Sequence, residues 1–435
     1  MTKIKTLTTA IFLWGITSSV SATSWFKNNS SDYTNRRLSV PDSAQIDSFR
    51  QYNLLMHDPK SHLLKRPVFI NMKYSGGKAL VEEDKLKTGY VQYSEMRVGV
   101  TSLGNRWKDI VYGMPYYGIG IGFYDFNSKQ TGHPISAYLF QGGILKAFSF
   151  RSMVKYEWNF GASFNWKKYN AATNPDNKCI GAPVNIYFAA NLYYNYLLSK
   201  DWDLNIGATL SHVSNGATRM PNSGVNTVAA FVGLTYYFDR ERIVNEFNPN
   251  LRAPSYDNSR LISDITFNST VRQRRFDTEE TGLSSPYINK NFFVGNVSYA
   301  LLHMPNYKYR YGGGIDIVYD ESADYTAKKI GEKPDGSDIA KLYSGKFMDR
   351  WALGLSVRGD IVMPKYSVTG MVGYEVIKGK KNDHRLYQAF NVKVPFWDNL
   401  YGSFTIRSQK FSKAQYMFFG VGYMFDHKPF KLIKN

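Results

Sequence analysis

The feature of this sequence that most constrains its fold is a series of aromatic-rich segments in which apolar and polar residues alternate. A period of two is typical of β-strands with one apolar and one polar face. The first series predicts strands at residues 68–75, 89–101, 115–125, 137–149, 152–166, 184–198, 201–214 and 225–238. The eighth ends in Tyr236-Tyr237-Phe238, an aromatic group of the kind that borders the apolar band of a membrane barrel. These segments predict an all-β chain that spans a membrane as an antiparallel barrel.

The connections between these strands alternate in length. The step at 199–200 is tight, whereas the connections 126–136, 167–183 and 215–224 are longer and rich in Asn, Pro and Gly. Short turns at one end and long loops at the other are typical of outer-membrane barrels. The connection 102–114 is longer than this rule predicts. With both chain ends in the periplasm, the 215–224 loop is expected at the cell exterior.

A second series of eight segments follows a polar linker at residues 240–262. Its predicted strands lie at 263–273, 290–304, 307–320, 349–361, 365–377, 384–396, 399–409 and 414–426, with a charged loop at Lys328–Asp338. Short motifs recur between the series: Tyr117-Gly118 matches Tyr311-Gly312, Trp202-Asp203 matches Trp397-Asp398, and Gly207 matches Gly402. The repeat indicates a duplicated eight-strand unit, as two tandem barrels or one sixteen-strand barrel. We favour tandem barrels because the first series has its own closing strand and is followed by a linker.

Composition excludes several other classes of protein. The 435 residues have a mean hydropathy of −0.37, and no apolar run after the N-terminus is long enough for a membrane-spanning helix. The single cysteine, Cys179, excludes a disulfide framework and a cysteine-based zinc site. No P-loop, dinucleotide-binding or metal-ligand motif is present. The formal net charge of +19 favours an anionic partner, such as a membrane surface rich in phosphorylated glycolipid, or reflects only solubility or nonspecific binding.

The N-terminus has the features of an export signal. Lys3 and Lys5 precede a mostly apolar stretch, and Val20-Ser21-Ala22 fits the small-residue cleavage rule. Residues 1–22 are therefore predicted to be a signal peptide, and residues 23–67 a polar extension with a short helix around Asp42–Met56. Residues 68–239 and 263–435 form the two barrel units. Export of such a barrel predicts a location in the cell outer membrane.

Three polar residues stand out because they lie on the apolar faces of two neighbouring strands. His212 and Ser214 are two residues apart, so they share a face of strand 201–214, and Asn226 lies on the apolar face of the next strand. Polar groups that face lipid are costly unless they are satisfied or used. A serine nucleophile needs a base and a group that orients the base, which Ser214, His212 and Asn226 can supply, while Asn215 can donate to an oxyanion. The alternative is that these are ordinary interfacial residues where the strand leaves the bilayer.

The motif His-x-Ser-Asn at 212–215, followed by Pro-Asn-x-Gly at 221–224, resembles the PagL lipid A 3-O-deacylase family, and more closely its longer acyloxyacyl hydrolase-like members from Bacteroidetes. The resemblance covers about 60–240 and includes Trp158-Asn159-Phe160-Gly161. It implies an outer-membrane serine esterase that removes an ester-linked acyl chain from lipid A and needs no cofactor. It also implies that His212 is the base and Ser214 the nucleophile, with Asn215, Asn222 and Gly224 as oxyanion or supporting residues.

The sequence departs from this family at Asn226, where the best-known members have Glu. An Asn can orient a His but cannot stabilise the imidazolium by charge. An outer-membrane phospholipase of a different barrel family works with a His and a Ser oriented by an Asn. Asn226 therefore remains the third residue of the proposed site. In the second unit, Arg407 and Gln409 stand where the Gly402 match places the His and the Ser, so we expect that unit to be catalytically silent.

Two alternatives to a lipid A deacylase remain from the sequence. One is a non-enzymatic outer-membrane barrel that serves as a binding protein, pore or scaffold. The other is an outer-membrane phospholipase of the same chemistry. The expected partners are lipid A or lipopolysaccharide and outer-membrane lipid. Aromatic residues are interleaved with Lys and Arg, but the pattern of exported strands explains them better than nucleic-acid binding. The oligomeric state remains open.

Overall fold

The computed structural model describes residues 66–82, 84–248, 250–254, 256, 260–334, 338–379, 384–409 and 413–427. The predicted signal peptide, the rest of the N-terminal extension before Arg66 and the predicted helix around Asp42–Met56 lie outside these residues. Among the helices of the described ranges, none is both long and apolar enough to cross a membrane.

The first eight strands form a closed antiparallel barrel. They are β1 Val68–Ala79, β2 Tyr90–Thr101, β3 Tyr116–Asp125, β4 Gly132–Ala147, β5 Ser152–Trp166, β6 Asn185–Leu197, β7 Trp202–Ser214 and β8 Val225–Tyr237. Each strand pairs with its neighbours in sequence, and β1 also pairs with β8, which closes the barrel. The four loops at residues 80–89, 126–131, 167–184 and 215–224 all lie at one end, here called the long-loop end.

Two strands of this barrel begin or end away from their predicted positions. β4 begins at Gly132, five residues before its predicted start. Pro134 argues against a strand there, but the structure accommodates it at an irregularity of register between Gly132 and Ile135. β1 extends to Ala79 through Gly76 and Gly77, beyond the predicted end at residue 75.

The alternating pattern of the strands separates an apolar outer wall from an interior of charged pairs and aromatic rings. On the outer wall Met72, Ile119 and Leu139 are 59, 63 and 65 % exposed. In the interior, the ammonium of Lys73 pairs with Glu95 and the guanidinium of Arg97 pairs with Glu157, both at 2.5 Å. Buried aromatic rings, among them Phe69 and Tyr93, pack in the same interior. An apolar exterior around an interior that holds the charged side chains is the arrangement of a membrane barrel.

The second series forms another closed antiparallel barrel, as the tandem interpretation predicts. Its strands are β9 Arg260–Arg272, β10 Phe292–Met304, β11 Tyr309–Asp320, β14 Trp351–Val362, β15 Ser367–Ile377, β16 Leu386–Trp397, β17 Leu400–Gln409 and β18 Lys413–His427. β18 pairs with β9 and closes this barrel.

The charged stretch Lys328–Asp338 was predicted to be a loop, and this prediction is wrong. It belongs to a separate two-stranded hairpin, β12 Thr326–Glu332 and β13 Asp338–Tyr343. The hairpin is held by polar contacts, among them the ion pair of Lys329 with Asp338 at 2.8 Å. The hairpin also packs Ala327, Ala340 and Leu342 against a small apolar cluster that includes Phe276 and Phe292. Because its strands are short and their few apolar residues are interrupted by charged ones, hydrophobic periodicity gives only a weak signal there.

Two connections contain helices that the alternation pattern does not predict. Helix α1, Trp107–Val111, occupies the long connection 102–114, and helix α2, Arg240–Glu246, opens the predicted linker. The linker also ends earlier than predicted, since β9 begins at Arg260. A further short helix, α3, spans Thr278–Thr281, and a 3₁₀ turn spans Phe347–Arg350.

The duplication into two eight-strand barrels is present, but two of the motif matches used for it are wrong. Trp202 begins β7, whereas Trp397 ends β16. Gly207 lies among the inward-facing residues of β7, whereas Gly402 lies on the outer wall of β17. A shift of one residue along a strand turns every side chain to the opposite face, so this match compares different sides of the two barrels.

Candidate active site

Three polar side chains meet on the outer wall of the first barrel, at its long-loop end. His212 on β7 lies directly opposite Asn226 on β8 in the sheet register. The Nδ1 atom of His212 is 2.7 Å from Oδ1 of Asn226, and its Nε2 atom is 2.8 Å from Oγ of Ser214. The structure therefore brings the three residues that the sequence singles out into one hydrogen-bonded chain.

The partners of the imidazole define its protonation. The carbonyl oxygen of Asn226 can only accept a hydrogen bond, so Nδ1 of His212 carries the proton. In the neutral imidazole, Nε2 is then an acceptor and receives the hydrogen bond from the Ser214 hydroxyl. This is the tautomer in which a histidine can remove a proton from a serine.

The chain lies on the face of the sheet that carries the apolar side chains. Residues at the same alternation as His212 and Asn226 include Ile206 and Val232, which are about half exposed on the outer wall. Ser214, in contrast, is only 3 % exposed, although it belongs to the same face. The hydroxyl is therefore sheltered from water beside a surface that faces lipid.

An apolar wall borders this group on the other side of β7. Ile186 on β6 lies opposite Ser214, and Phe188 lies opposite His212. The ring of Trp158 on β5 packs against Phe188 with ring centroids 5.6 Å apart. Ile186 and Phe188 were not among the predicted site residues. The sequence contains a signal for both residues: if β6 and β7 are paired residue by residue starting from the tight turn at 199–200, Ile186 and Phe188 fall opposite Ser214 and His212.

Glycine is required at position 224 in the loop after β7. Gly224 has a φ of +69°, and a Cβ atom there would lie 3.0 Å from Cε1 of His212 and 3.2 Å from Cβ of Ser214. Its backbone thus packs directly against the base and the serine. Asn215 follows Ser214 and is buried, and Asn222 is half-buried in the same loop. Asn215, Asn222 and Gly224 are the residues that the sequence analysis names as oxyanion or supporting residues.

Comparison with family models assigns both halves of the chain. Residues 92–235 match the model described as lipid A 3-O-deacylase (PagL). Residues 264–428 match the model described as the C-terminal domain of acyloxyacyl hydrolase. The chain belongs to the PagL-like family. The first match contains His212, Ser214 and Asn226, and the second covers most of the second barrel.

Among solved structures, this PagL-like chain is similar to two outer-membrane barrels. One is Neisserial surface protein A, with 12 % identity, coverage of 39 % of this chain and 97 % of that chain, and a TM-score of 0.28. The other is the outer-membrane enzyme PagL, with 14 % identity, coverage of 38 % and 97 %, and a TM-score of 0.26. No curated protein matches the chain.

A segment between β5 and β6 is hydrogen-bonded to the site loop of this PagL-like barrel. The carbonyl oxygens of Lys178 and Cys179 accept hydrogen bonds from the backbone N–H groups of Ser223 and Gly224, at 3.2 and 3.1 Å. The buried side chain of Asn177 fixes this segment: its Oδ1 accepts from the N–H of Cys179, and its Nδ2 donates to the carbonyl oxygens of Gln130 in the loop between β3 and β4 and of Lys167 in its own loop. Sequence reasoning missed Asn177, because an irregular loop has no periodicity that shows which of its polar side chains are buried.

The nearby cysteine is not a competing nucleophile. Cys179 is buried, and burial raises the pKa of its thiol to about 12. The thiolate, which is the reactive form, is therefore scarce at neutral pH. Within the described ranges, no three His, Cys, Asp or Glu side chains come together as a metal site.

In the second barrel of this PagL-like protein, the positions that the sequence compares with His212 and Ser214 carry Arg407 and Gln409 instead. Arg407 and Gln409 are buried side chains of β17, and Arg407 forms an ion pair with Glu375. They lie on the inner side of the barrel wall, whereas His212 and Ser214 lie on the outer side. The outer face of β17 at this level carries Ile406 and Ser408 instead.

Proposed function

We propose that this protein is an outer-membrane serine esterase that removes an ester-linked acyl chain from lipid A. The observation that carries the proposal is the hydrogen-bonded chain from Ser214 through His212 to Asn226 on the outer, apolar wall of a barrel. Membership in a family described as lipid A 3-O-deacylases supports the choice of substrate. Export through the N-terminal signal peptide is part of the proposal.

The first half of the reaction transfers the acyl group to the serine. His212 Nε2 takes the hydroxyl proton while Oγ of Ser214 forms a bond to the ester carbonyl carbon. The resulting oxyanion needs hydrogen-bond donors, and we assign this role to Asn215, which is buried next to the nucleophile. When the intermediate collapses, the carbon–oxygen bond to the sugar breaks and His212 returns its proton to the departing sugar oxygen.

The second half of the reaction releases the fatty acid. A water molecule from the membrane interface loses a proton to His212 and attacks the acyl-serine carbonyl carbon. The bond to Ser214 Oγ then breaks, and His212 gives the proton back to that oxygen. Throughout, the carbonyl oxygen of Asn226 holds the proton on Nδ1, so that Nε2 stays available to exchange protons.

The position of the site suits an acyl chain that approaches from the membrane. Ile186 and Phe188 lie opposite Ser214 and His212 on the same wall, so an acyl chain can lie along apolar side chains while its ester reaches the serine. A substrate that remained in bulk water would leave this surface exposed. We therefore propose that the substrate enters sideways from the outer leaflet.

Mass spectrometry of lipid A tests this function. Cells that express the protein should contain lipid A with one acyl chain fewer, and Ser214→Ala should restore the full set of chains. The matched control is Ser211→Ala, because Ser211 lies on the same strand but among its inward-facing residues. Ser211→Ala should deacylate like the wild type at equal outer-membrane abundance.

Two outcomes would contradict the proposal. Full deacylation by Ser214→Ala would exclude Ser214 as the nucleophile. Unchanged lipid A with the wild type, together with release of fatty acid from phospholipid, would identify a phospholipase of the same chemistry. Inactivity on both lipids would favour a non-enzymatic barrel.

A further inference from the structure

We propose that Lys178 binds a phosphate group of the glycolipid whose ester Ser214 cleaves. This inference rests on the proposed function and adds to it an anion subsite that orients the substrate. The subsite is formed by the segment between β5 and β6 that contacts the site loop.

The position of Lys178 connects it directly to the catalytic group. Its carbonyl oxygen accepts the hydrogen bond from the N–H of Ser223 at 3.2 Å. The next residue, Gly224, packs against Cε1 of His212 and Cβ of Ser214. Because one backbone contact separates Lys178 from the wall of the site, its flexible side chain can reach a headgroup whose ester lies at Ser214.

The backbone that carries Lys178 is fixed on both sides. Its N–H donates to the carbonyl oxygen of Lys85 at 2.8 Å. The neighbouring Asn177 is fully buried, and its Oδ1 accepts from the N–H groups of Cys179 and Ile180 at 3.1 and 3.0 Å. A binding group on a fixed segment loses less conformational entropy when the ligand is bound.

The charge of Lys178 is available to a ligand. Its side chain is exposed, and within the described residues no carboxylate lies at ion-pair distance from its ammonium. The adjacent Lys85, in contrast, is already paired with Glu82 at 2.6 Å. Where these two loops meet, Lys85 is therefore neutralised by Glu82, whereas Lys178 keeps a positive charge that a ligand can use.

The distribution of charge and apolar surface around the site matches a phosphorylated glycolipid. Lys178 lies at the long-loop end, while Ile186 and Phe188 line the apolar wall beside the serine. Lipid A carries its acyl esters and its phosphates on one sugar headgroup. A lysine is a compact point charge suited to a phosphate, so it can hold the headgroup at the rim while an acyl chain lies along the wall.

Equilibrium binding tests this inference without catalysis. In the Ser214→Ala background, lipid A with its phosphates and the same lipid after dephosphorylation are titrated in micelles of a neutral detergent. We expect the phosphorylated lipid to bind about tenfold more tightly, the size of effect that one charged hydrogen bond gives. Adding Lys178→Gln should remove this difference, and Lys178→Arg should keep it.

Lys200→Gln is the matched control. Lys200 is exposed at the tight turn between β6 and β7, at the opposite end of the barrel from the long loops. This variant has the same change of charge and should keep the preference for the phosphorylated lipid. A preference that survives Lys178→Gln, or is lost equally in Lys200→Gln, would overturn the inference. Binding of inorganic phosphate as tight as that of the lipid would overturn the assignment to a glycolipid.

The binding result and the function can fail separately. If Lys178→Gln removes the phosphate preference but the wild type hydrolyses no ester, the subsite stands and the proposed esterase falls. If the wild type deacylates lipid A but binding ignores both the phosphates and Lys178, the esterase stands and the subsite falls.

Discussion

At the scale of single residues, the proposed chemistry depends on how Asn226 holds His212. An amide oxygen fixes the tautomer of the imidazole, but it adds no negative charge to stabilise the imidazolium that forms during the reaction. The distance of 2.7 Å from Nδ1 to Oδ1 leaves room for a carboxylate of the same size. Position 226 therefore sets both the orientation of the base and the strength of its electrostatic support.

Substitutions at Asn226 separate these two effects. Asn226→Ala should lower kcat/KM by about tenfold to a hundredfold, part of the roughly 10²–10⁴ that a positioned general base contributes. Asn226→Asp keeps the acceptor and adds a charge, so it should retain or modestly raise the rate. The measurement is hydrolysis of lipid A by purified variants in detergent. Equal rates for Asn226→Ala and the wild type would show that His212 needs no third residue.

At the scale of elements, the site depends on one backbone connection between two loops. The segment 177–180 bonds to Ser223 and Gly224, and Gly224 packs against His212 and Ser214. The side chain of Asn177 anchors that segment, since its Oδ1 accepts from the N–H groups of Cys179 and Ile180 and its Nδ2 donates to the carbonyl oxygens of Gln130 and Lys167 at 3.0 and 2.9 Å. Loosening this anchor should disturb the site while the strands stay paired.

Asn177→Ala should therefore lower kcat more than it raises KM. Removing the side chain leaves backbone groups of the segment without their partner, so Gly224 should no longer hold the base and the serine at a fixed distance. Kinetics on lipid A test this, and heat-modifiability in electrophoresis reports whether the barrel is still folded. Asn170→Ala is the control, because Asn170 is exposed on the same loop. A loss of folding in parallel with the loss of activity would refute a positioning role.

The elements also show what the sequence can and cannot predict. Alternation located the sixteen barrel strands and placed His212, Ser214 and Asn226 on one face, because strand periodicity is a local property. It missed the β12–β13 hairpin, whose short strands carry few apolar residues among charged ones. It also missed Asn177, since the contacts of this residue with Gln130 and Lys167 depend on how loops pack. The error at Gly402 has a related cause: a motif match does not show which face a residue occupies.

At the scale of the whole molecule, charged pairs and buried aromatic rings fill the interior of the first barrel. Glu157 accepts from Nη1 of Arg97 at 2.5 Å and from Nδ2 of Asn191 at 3.0 Å, and all three side chains are buried. A filled interior favours a closed scaffold for the site on its outer wall over a pore. It also makes the stability of the barrel sensitive to a single unpaired charge.

Glu157→Ala should lower the free energy of unfolding of the first barrel by about 3–5 kcal/mol, because it leaves the Arg97 charge buried without its partner. Urea titration in detergent micelles measures this change. Lys200→Ala, at an exposed turn where the ion pair with Asp201 spans 4.0 Å, should change it by less than about 1 kcal/mol. Equal stability of Glu157→Ala and the wild type would mean that water reaches the interior and screens the charge.

The central claim, that Ser214 is a nucleophile activated by His212, is tested most directly by covalent labelling. A lipid-like phosphonate ester should react once per chain, and peptide mass spectrometry should locate the adduct on Ser214. Ser211→Ala should be labelled like the wild type, whereas Ser214→Ala should not be labelled and His212→Ala should be labelled at a rate lower by about 10²-fold or more. An adduct on any other residue, or labelling of His212→Ala at the wild-type rate, would contradict this account.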